Sequence, residues 1–124
     1  MARNMKHILK VSEDGSFFNV TTEGDGDVEG IIAFLKDIIS HPQWKAGNSI
    51  LLDHRALRID KITVSGIDDV SLYFRSINSE LGDGKIALVM KRDIDYGITR
   101  AWENITAHGV DIKIYVFRDM ENAL

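Results

Sequence analysis

The residues with the most chemical promise are Asp53, His54 and Arg55, which directly follow the apolar run Ser49–Leu52. A run of that length, closed by an acid, reads as a strand buried on both faces, with Asp53 emerging at its carboxyl end. Open α/β sheets bind ligands at that edge. There Asp53 could act as an acid or base, and the planar guanidinium of Arg55 could grip an anion with two parallel bonds. The plainer reading of the same residues is a strand-end ion pair, or an aspartate accepting from backbone N–H groups of the next loop. His54 is then a surface or loop histidine.

Other constellations match known chemistry less well. Asp53 as a phosphoacceptor would need an acidic pair after an early strand and a lysine after a late one. Asp25 and Asp27 could supply the acids, but the last strand ends in Phe117-Arg118. Asp25-x-Asp27-x-Glu29-Gly30 imitates the start of a calcium loop. Ile31 then begins an apolar stripe, and Lys36 stands where a bidentate glutamate is needed. Helix capping explains those acids better. Gly24, Gly26 and Gly30 miss the dinucleotide fingerprint by one residue, and the acids between them would repel a pyrophosphate. His7, His41, His54 and His108 are far apart, without metal-ligand spacing. No Gly-x-Ser-x-Gly elbow is present. No catalytic motif and no cofactor site is therefore expected.

The elements that must position these residues follow from composition and periodicity. The chain has 124 residues, enough for one domain that buries about two thirds of its unfolded surface. It has no cysteine, which removes disulfides, thiolate metal sites and thiol nucleophiles and is compatible with a cytoplasmic setting. Its net charge of −4 argues against a basic nucleic-acid footprint. Met1–Lys10 is too charged for a signal peptide, and no apolar run approaches the ~20 residues that span a bilayer.

Strands are expected at His7–Glu13 and Phe17–Glu23, joined by turn residues as an antiparallel hairpin. Val28, Ile31, Ile32, Leu35, Ile38 and Ile39 mark a helix capped by Asp25 or Asp27 and stopped at Pro42. After the Ser49–Leu52 strand, Ser65-Gly66-Ile67-Asp68 fits a capping box. It opens a helix with the stripe Ile67, Val70, Phe74, Ile77 and Leu81, ended by Gly82 and Gly84. Lys85–Met90 is the best candidate for a central parallel strand. A third helix, capped by Asp93 or Asp95, should turn Ile94, Ile98, Trp102 and Ile105 inward, with Gly109 at a left-handed end. Val110–Phe117 is the last strand, and Asp119–Leu124 starts a final helix. The fold class is α/β: a single domain over residues 1–124, in ββαβαβαβ(α) order. Its sheet should be mostly parallel, with four to five strands and an N-terminal antiparallel hairpin strand.

With that order, the chain resembles the SpoIIAA-like (STAS/SEC14-type) family over nearly its whole length. The local matches are Ile50-Leu51-Leu52-Asp53-His54-Arg55, Lys85-Ile86-Ala87-Leu88-Val89, Tyr96-Gly97-Ile98-Thr99-Arg100, and Val116-Phe117 followed by Glu121-Asn122-Ala123-Leu124. The resemblance implies a fold shared with anti-sigma-factor antagonists and lipid-binding SEC14 domains. Antagonists of that kind carry an Asp-Ser-Ser-Gly-Leu-like segment with a phosphorylated serine. Here the segment reads Thr63-Val64-Ser65-Gly66-Ile67, with Val64 at the phosphoacceptor position. The phosphoacceptor motif is therefore not intact, which counts against phospho-switching and leaves Ser65 as a poor substitute acceptor. The family's closing helix usually runs further than this chain's Leu124.

Two functions are expected from different classes. The first is a non-enzymatic regulatory domain that binds a protein partner through Asp53, His54, Arg55, Ser65, Gly66 and Asp68. The second is a carrier or sensor for a small apolar or lipid-like ligand, in a pocket lined by Phe74, Tyr96 and Trp102. For each of those three aromatics, core packing is the plain alternative. An open sheet edge at the first or last strand would also suit a homodimer.

Overall fold

The computed structural model describes residues 5–123. Met1–Asn4 and Leu124 lie outside the described residues, and with them parts of the leader and final-helix readings. The chain opens with β1 (Lys6–Val11) and β2 (Phe17–Asp25), an antiparallel hairpin. Its turn is held by Asp14, whose Oδ1 accepts from both the Ser12 and Ser16 hydroxyls. There follow α1 (Val28–Ser40), β3 (Ser49–Arg58), α2 (Val64–Ser76), the short α3 (Asn78–Leu81) and β4 (Lys85–Val89). α4 (Asp93–Thr106), β5 (Lys113–Phe117) and the four-residue α5 (Met120–Ala123) complete the order.

The five strands lie in sequence order, β1-β2-β3-β4-β5, with β2 through β5 parallel. Every parallel crossover therefore steps the same way. Crossovers of one hand that step one way put all their helices on one face. On that face the register lines up Val20, Leu52, Leu88 and Val116 in one row, and Phe18, Ile50, Ile86 and Ile114 in the next. All eight are buried in the core beneath the helices. On the opposite face the rows are Asn19, Leu51, Ala87 and Tyr115, then Thr21, Asp53, Val89 and Phe117. Among the described residues, α5 is the helix that packs there, against β4 and β5.

Several expectations need correction. β3 runs on to Arg58, so Asp53, His54 and Arg55 lie inside the strand and not at its end. The apolar run stops at Leu52 because the open face takes polar residues from there on. Between the Thr21–Asp53 and Glu23–Ala56 pairs β3 carries one residue more than β2, so the alternation slips by one there: Arg55 and Ala56 are both exposed and Leu57 is buried. α2 is capped by the Thr63 hydroxyl, which accepts from Gly66 N at 3.0 Å, and not by Ser65. It breaks at Ile77, and α3 carries Leu81 into the core. Asp27 caps α1, accepting from Gly30 N, while Asp25 sits in β2 and pairs with Arg58. Phe34, outside the expected stripe, is fully buried in α1.

The inner face of α4 also differs. Ile94 and Ile105 are 52% and 44% exposed, whereas Asp95, Thr99, Trp102 and Thr106 are buried. Polar anchors set that rotation. Asp95 accepts from the backbone N–H of Ile59 at 2.9 Å and from Arg92, and the Thr106 hydroxyl donates to Ser71. A buried carboxylate with these partners outweighs the exposure of two isoleucines. Gly109 does not adopt the left-handed conformation; a side chain there would run into Arg75.

Gly82 has φ +78°, and a Cβ there would meet the backbone of Ala46 and Gly47. Gly97, inside α4, has open space around it. Gly82→Ala is expected to cost about 2 kcal/mol or more, and Gly97→Ala to add about 0.5–1 kcal/mol of stability. Urea titrations beside the wild type check this; equal midpoints for the two variants would contradict the packing.

Candidate functional site

Strand alternation separates the three residues of the Asp53-His54-Arg55 segment. His54 faces the helices, and Asp53 and Arg55 face the open side. His54 is 6% exposed, which corrects its reading as a surface histidine. Its ring packs against Phe34, with centroids 5.7 Å apart. Nδ1 lies 2.6 Å from the Thr22 hydroxyl, which in turn lies 3.3 Å from the Asp53 carbonyl oxygen. A hydroxyl has one proton. Both contacts are hydrogen bonds only if Thr22 donates to the Asp53 carbonyl and accepts from His54 Nδ1–H. That fixes the tautomer and leaves Nε2 as an acceptor, with no hydrogen-bond partner among the described residues. Burial lowers the imidazole pKa to about 4, against a smaller upward pull from Asp53, so His54 is neutral at pH 7.

On the open face, Arg55 forks onto Asp53, with Nε to Oδ1 and Nη2 to Oδ2 both at 2.9 Å. The guanidinium holds the Asp53 carboxyl below its usual range, and the carboxylate raises Arg55 in return. The pair lines an open groove of about 500 Å³ with Lys91, Arg118, Asp119 and Met120. Arg118 pairs with Asp93 and lies 5.5 Å from the Tyr96 ring centroid. Lys91 has no ion-pair partner among the described residues. Next to this groove on the same face is an apolar one, which includes Phe17, Leu51, Ala87, Tyr115 and Phe117. Tyr115 and Phe117 stack with their rings 6.4 Å apart.

Ser65, Gly66 and Asp68 stand at the head of α2, on the helix-bearing side, and line neither groove. Ser65 and Asp68 are exposed. Gly66 is buried, with no room for a Cβ between Ile62 and Val28.

The three aromatics expected around a pocket also divide. Phe74 and Trp102 meet edge-on at 4.9 Å and line a cavity between sheet and helices; Tyr96 is not part of its wall. The cavity measures about 50 Å³, far short of the several hundred Å³ typical of a ligand pocket. Its wall is almost entirely apolar, yet it includes His54 and Trp102. The indole Nε1 of Trp102 is buried without a hydrogen-bond partner. Sequence spacing brought Trp102 forward but not His54 as an inward residue. The signal was the alternation Leu52-x-His54. No group of three or more metal-ligating side chains occurs among the described residues, and no helix there is long and apolar enough to cross a membrane.

Neither a protein-family model nor a curated protein matches the sequence. Solved structures do match in shape. One is an uncharacterised protein of the DUF3478 family with a SpoIIAA-like fold from Shewanella loihica PV-4. It is 16% identical with a TM-score of 0.59, over 99% of this chain and 95% of that one. Another is an anti-sigma factor antagonist from Mycobacterium paratuberculosis. It is 13% identical with a TM-score of 0.48, over 96% of this chain and 90% of that one. The chain is a SpoIIAA-like α/β domain by fold.

The neutral state of His54 carries a pH dependence. Its folded pKa lies below the unfolded value of 6.5, so the unfolded chain takes up the proton first. Stability is full above pH 6.5 and falls as pH drops toward 4, by roughly 3 kcal/mol in all. Urea unfolding at pH 7.5, 6 and 5 should show this loss, and His54→Gln should flatten it. An equally steep loss in the variant would assign the effect to other groups.

Proposed function

We propose that the chain is a non-enzymatic protein-interaction domain that binds its partner on the open face of the sheet. One observation carries the reading. That face joins an aromatic strip, centred on Tyr115 and Phe117, to a charged rim of Asp53, Arg55, Lys91 and Arg118. An apolar centre with a polar border is the anatomy of a protein interface. Contiguous exposed apolar surface on a small domain marks an interaction site more often than chance. The occupant that fits is a protein segment with an apolar side chain for the Tyr115–Phe117 stack and an acidic group for Lys91. The fork of Arg55 on Asp53 holds the rim in one geometry before the partner arrives. His54 supports the surface from behind, while Ser65, Gly66 and Asp68 lie outside it.

Photo-crosslinking in the cells that make the protein tests this. Benzoylphenylalanine in place of Tyr115 should yield one dominant adduct with a different protein. Lys91→Glu should remove that adduct without changing the melting temperature. The same probe in place of Ile105, on the outer side of α4, should yield none. Adducts only with a second copy of this chain, or the same adducts from both positions, would overturn the reading.

A further inference from the structure

β5 is the last strand of the sheet, so one of its sides has no neighbouring strand. Lys113 N donates to the Gly84 carbonyl, and Met90 N donates to the Phe117 carbonyl. Residues that bond to one neighbour alternate along a strand, so Lys113, Tyr115 and Phe117 turn their backbone groups to β4. Ile114 and Val116 turn theirs to the open edge, where no described residue bonds to them. Each keeps 8% of its surface exposed, more than any other residue in its core row. On the open face, Lys113 lies directly opposite Lys85. Both are exposed, and neither has an ion-pair partner among the described residues. Like charges opposite each other across a ladder are unfavourable, and an acid placed beside them relieves the repulsion. Tyr115 and Phe117 follow on the same face at the two-residue spacing of a strand.

We infer that β5 takes up its partner as an added antiparallel strand of the pattern apolar-x-apolar-x-acid. This rests on the protein-partner reading of the open face and adds the partner's backbone geometry and sequence chemistry. The two x residues fall opposite Val116 and Ile114 and exchange N–H···O bonds with them, which satisfies the open edge. The side chains opposite Phe117, Tyr115 and Lys113 then stand on the open face. β-branched residues suit the first two positions, because they pair well with aromatic neighbours across a ladder. The acid meets Lys113, with Lys85 one strand further in. The antiparallel direction is the more stable per residue. A second copy of β5 is a poorer occupant, since Lys113–Phe117 brings a further lysine and no acid.

Titration of ¹⁵N-labelled full-length protein with the peptide acetyl-Ser-Ile-Thr-Ile-Thr-Glu-Ser-amide tests the inference. The amide resonances of Ile114 and Val116 should move downfield, saturate and gain protection from hydrogen exchange. β1 is the other sheet edge and the internal control. Ser12 N donates to the Phe17 carbonyl, so by the same alternation His7, Leu9 and Val11 turn outward there, and their amides should stay in place. N-methylation of the two peptide threonines keeps every side chain but removes the donors, and should weaken binding by about tenfold or more. Lys113→Glu should weaken it by about fivefold. No saturable shift at Ile114 and Val116, equal binding of the N-methylated peptide, or equal shifts along β1 would each overturn strand addition. Shifts of the same two amides with protein concentration alone would overturn it too, in favour of a second copy. The crosslink at Tyr115 judges the face separately: a partner adduct without peptide pairing leaves the face standing and strand addition refuted.

Discussion

The direction of the crossovers is the constraint on which the rest of the molecule depends. β2, β3, β4 and β5 follow one another in space as they do in sequence, so the strand order never reverses. A doubly wound sheet has helices on both faces and a crevice where its order changes. This sheet has no such reversal, and its crossover helices keep to one face. α1, α2 and α4 all lie on one side, and the core forms there. Among the described residues, the other side carries α5 and a surface of strand residues. Ligand binding at a strand's carboxyl edge, the rationale for singling out Asp53 from sequence, does not apply to a residue in the middle of β3. What makes Asp53 and Arg55 conspicuous is that they belong to the face that no long helix covers.

β3 couples the two faces. Its side chains alternate between a dry environment and a wet one, so neighbouring residues obey opposite rules. Leu52, His54 and Leu57 are buried, while Asp53 is partly exposed and Arg55 exposed. A strand half in water does not read as an apolar run, which is why the sequence suggested a strand ending at Leu52. The hairpin, the three crossover helices and the parallel core strands were legible because each rests on local periodicity, and the SpoIIAA-like fold was legible through the resemblance of segments such as Ile50–Arg55 and Lys85–Val89. The inner face of α4 was not. Its apolar spacing favours Ile94 and Ile105. The rotation is set by a contact with Ile59, 36 residues from Asp95. No periodicity within the helix contains that partner. The separation of Ser65 and Asp68 from Asp53 was hidden for a related reason: it depends on which side of the sheet the crossover passes.

The open face and the cavity also answer to different physics. On the open face, charges are solvated and paired, so substitutions there alter recognition more than stability. In the cavity, apolar walls make every unpaired polar atom costly. Trp102 Nε1, buried without a hydrogen-bond partner, is therefore unusual in a way that an exposed arginine is not. A core selected only for packing would carry phenylalanine or leucine at that position at no hydrogen-bonding cost.

The neutrality of His54 depends on both sides of the strand at once. Asp53, its neighbour in the chain, carries a full negative charge and favours the imidazolium. Burial opposes it and is the larger effect. Arg55 forks onto Asp53 at 2.9 Å on the opposite face of the same strand, so the ion pair stays in water while the neighbouring imidazole is buried and neutral.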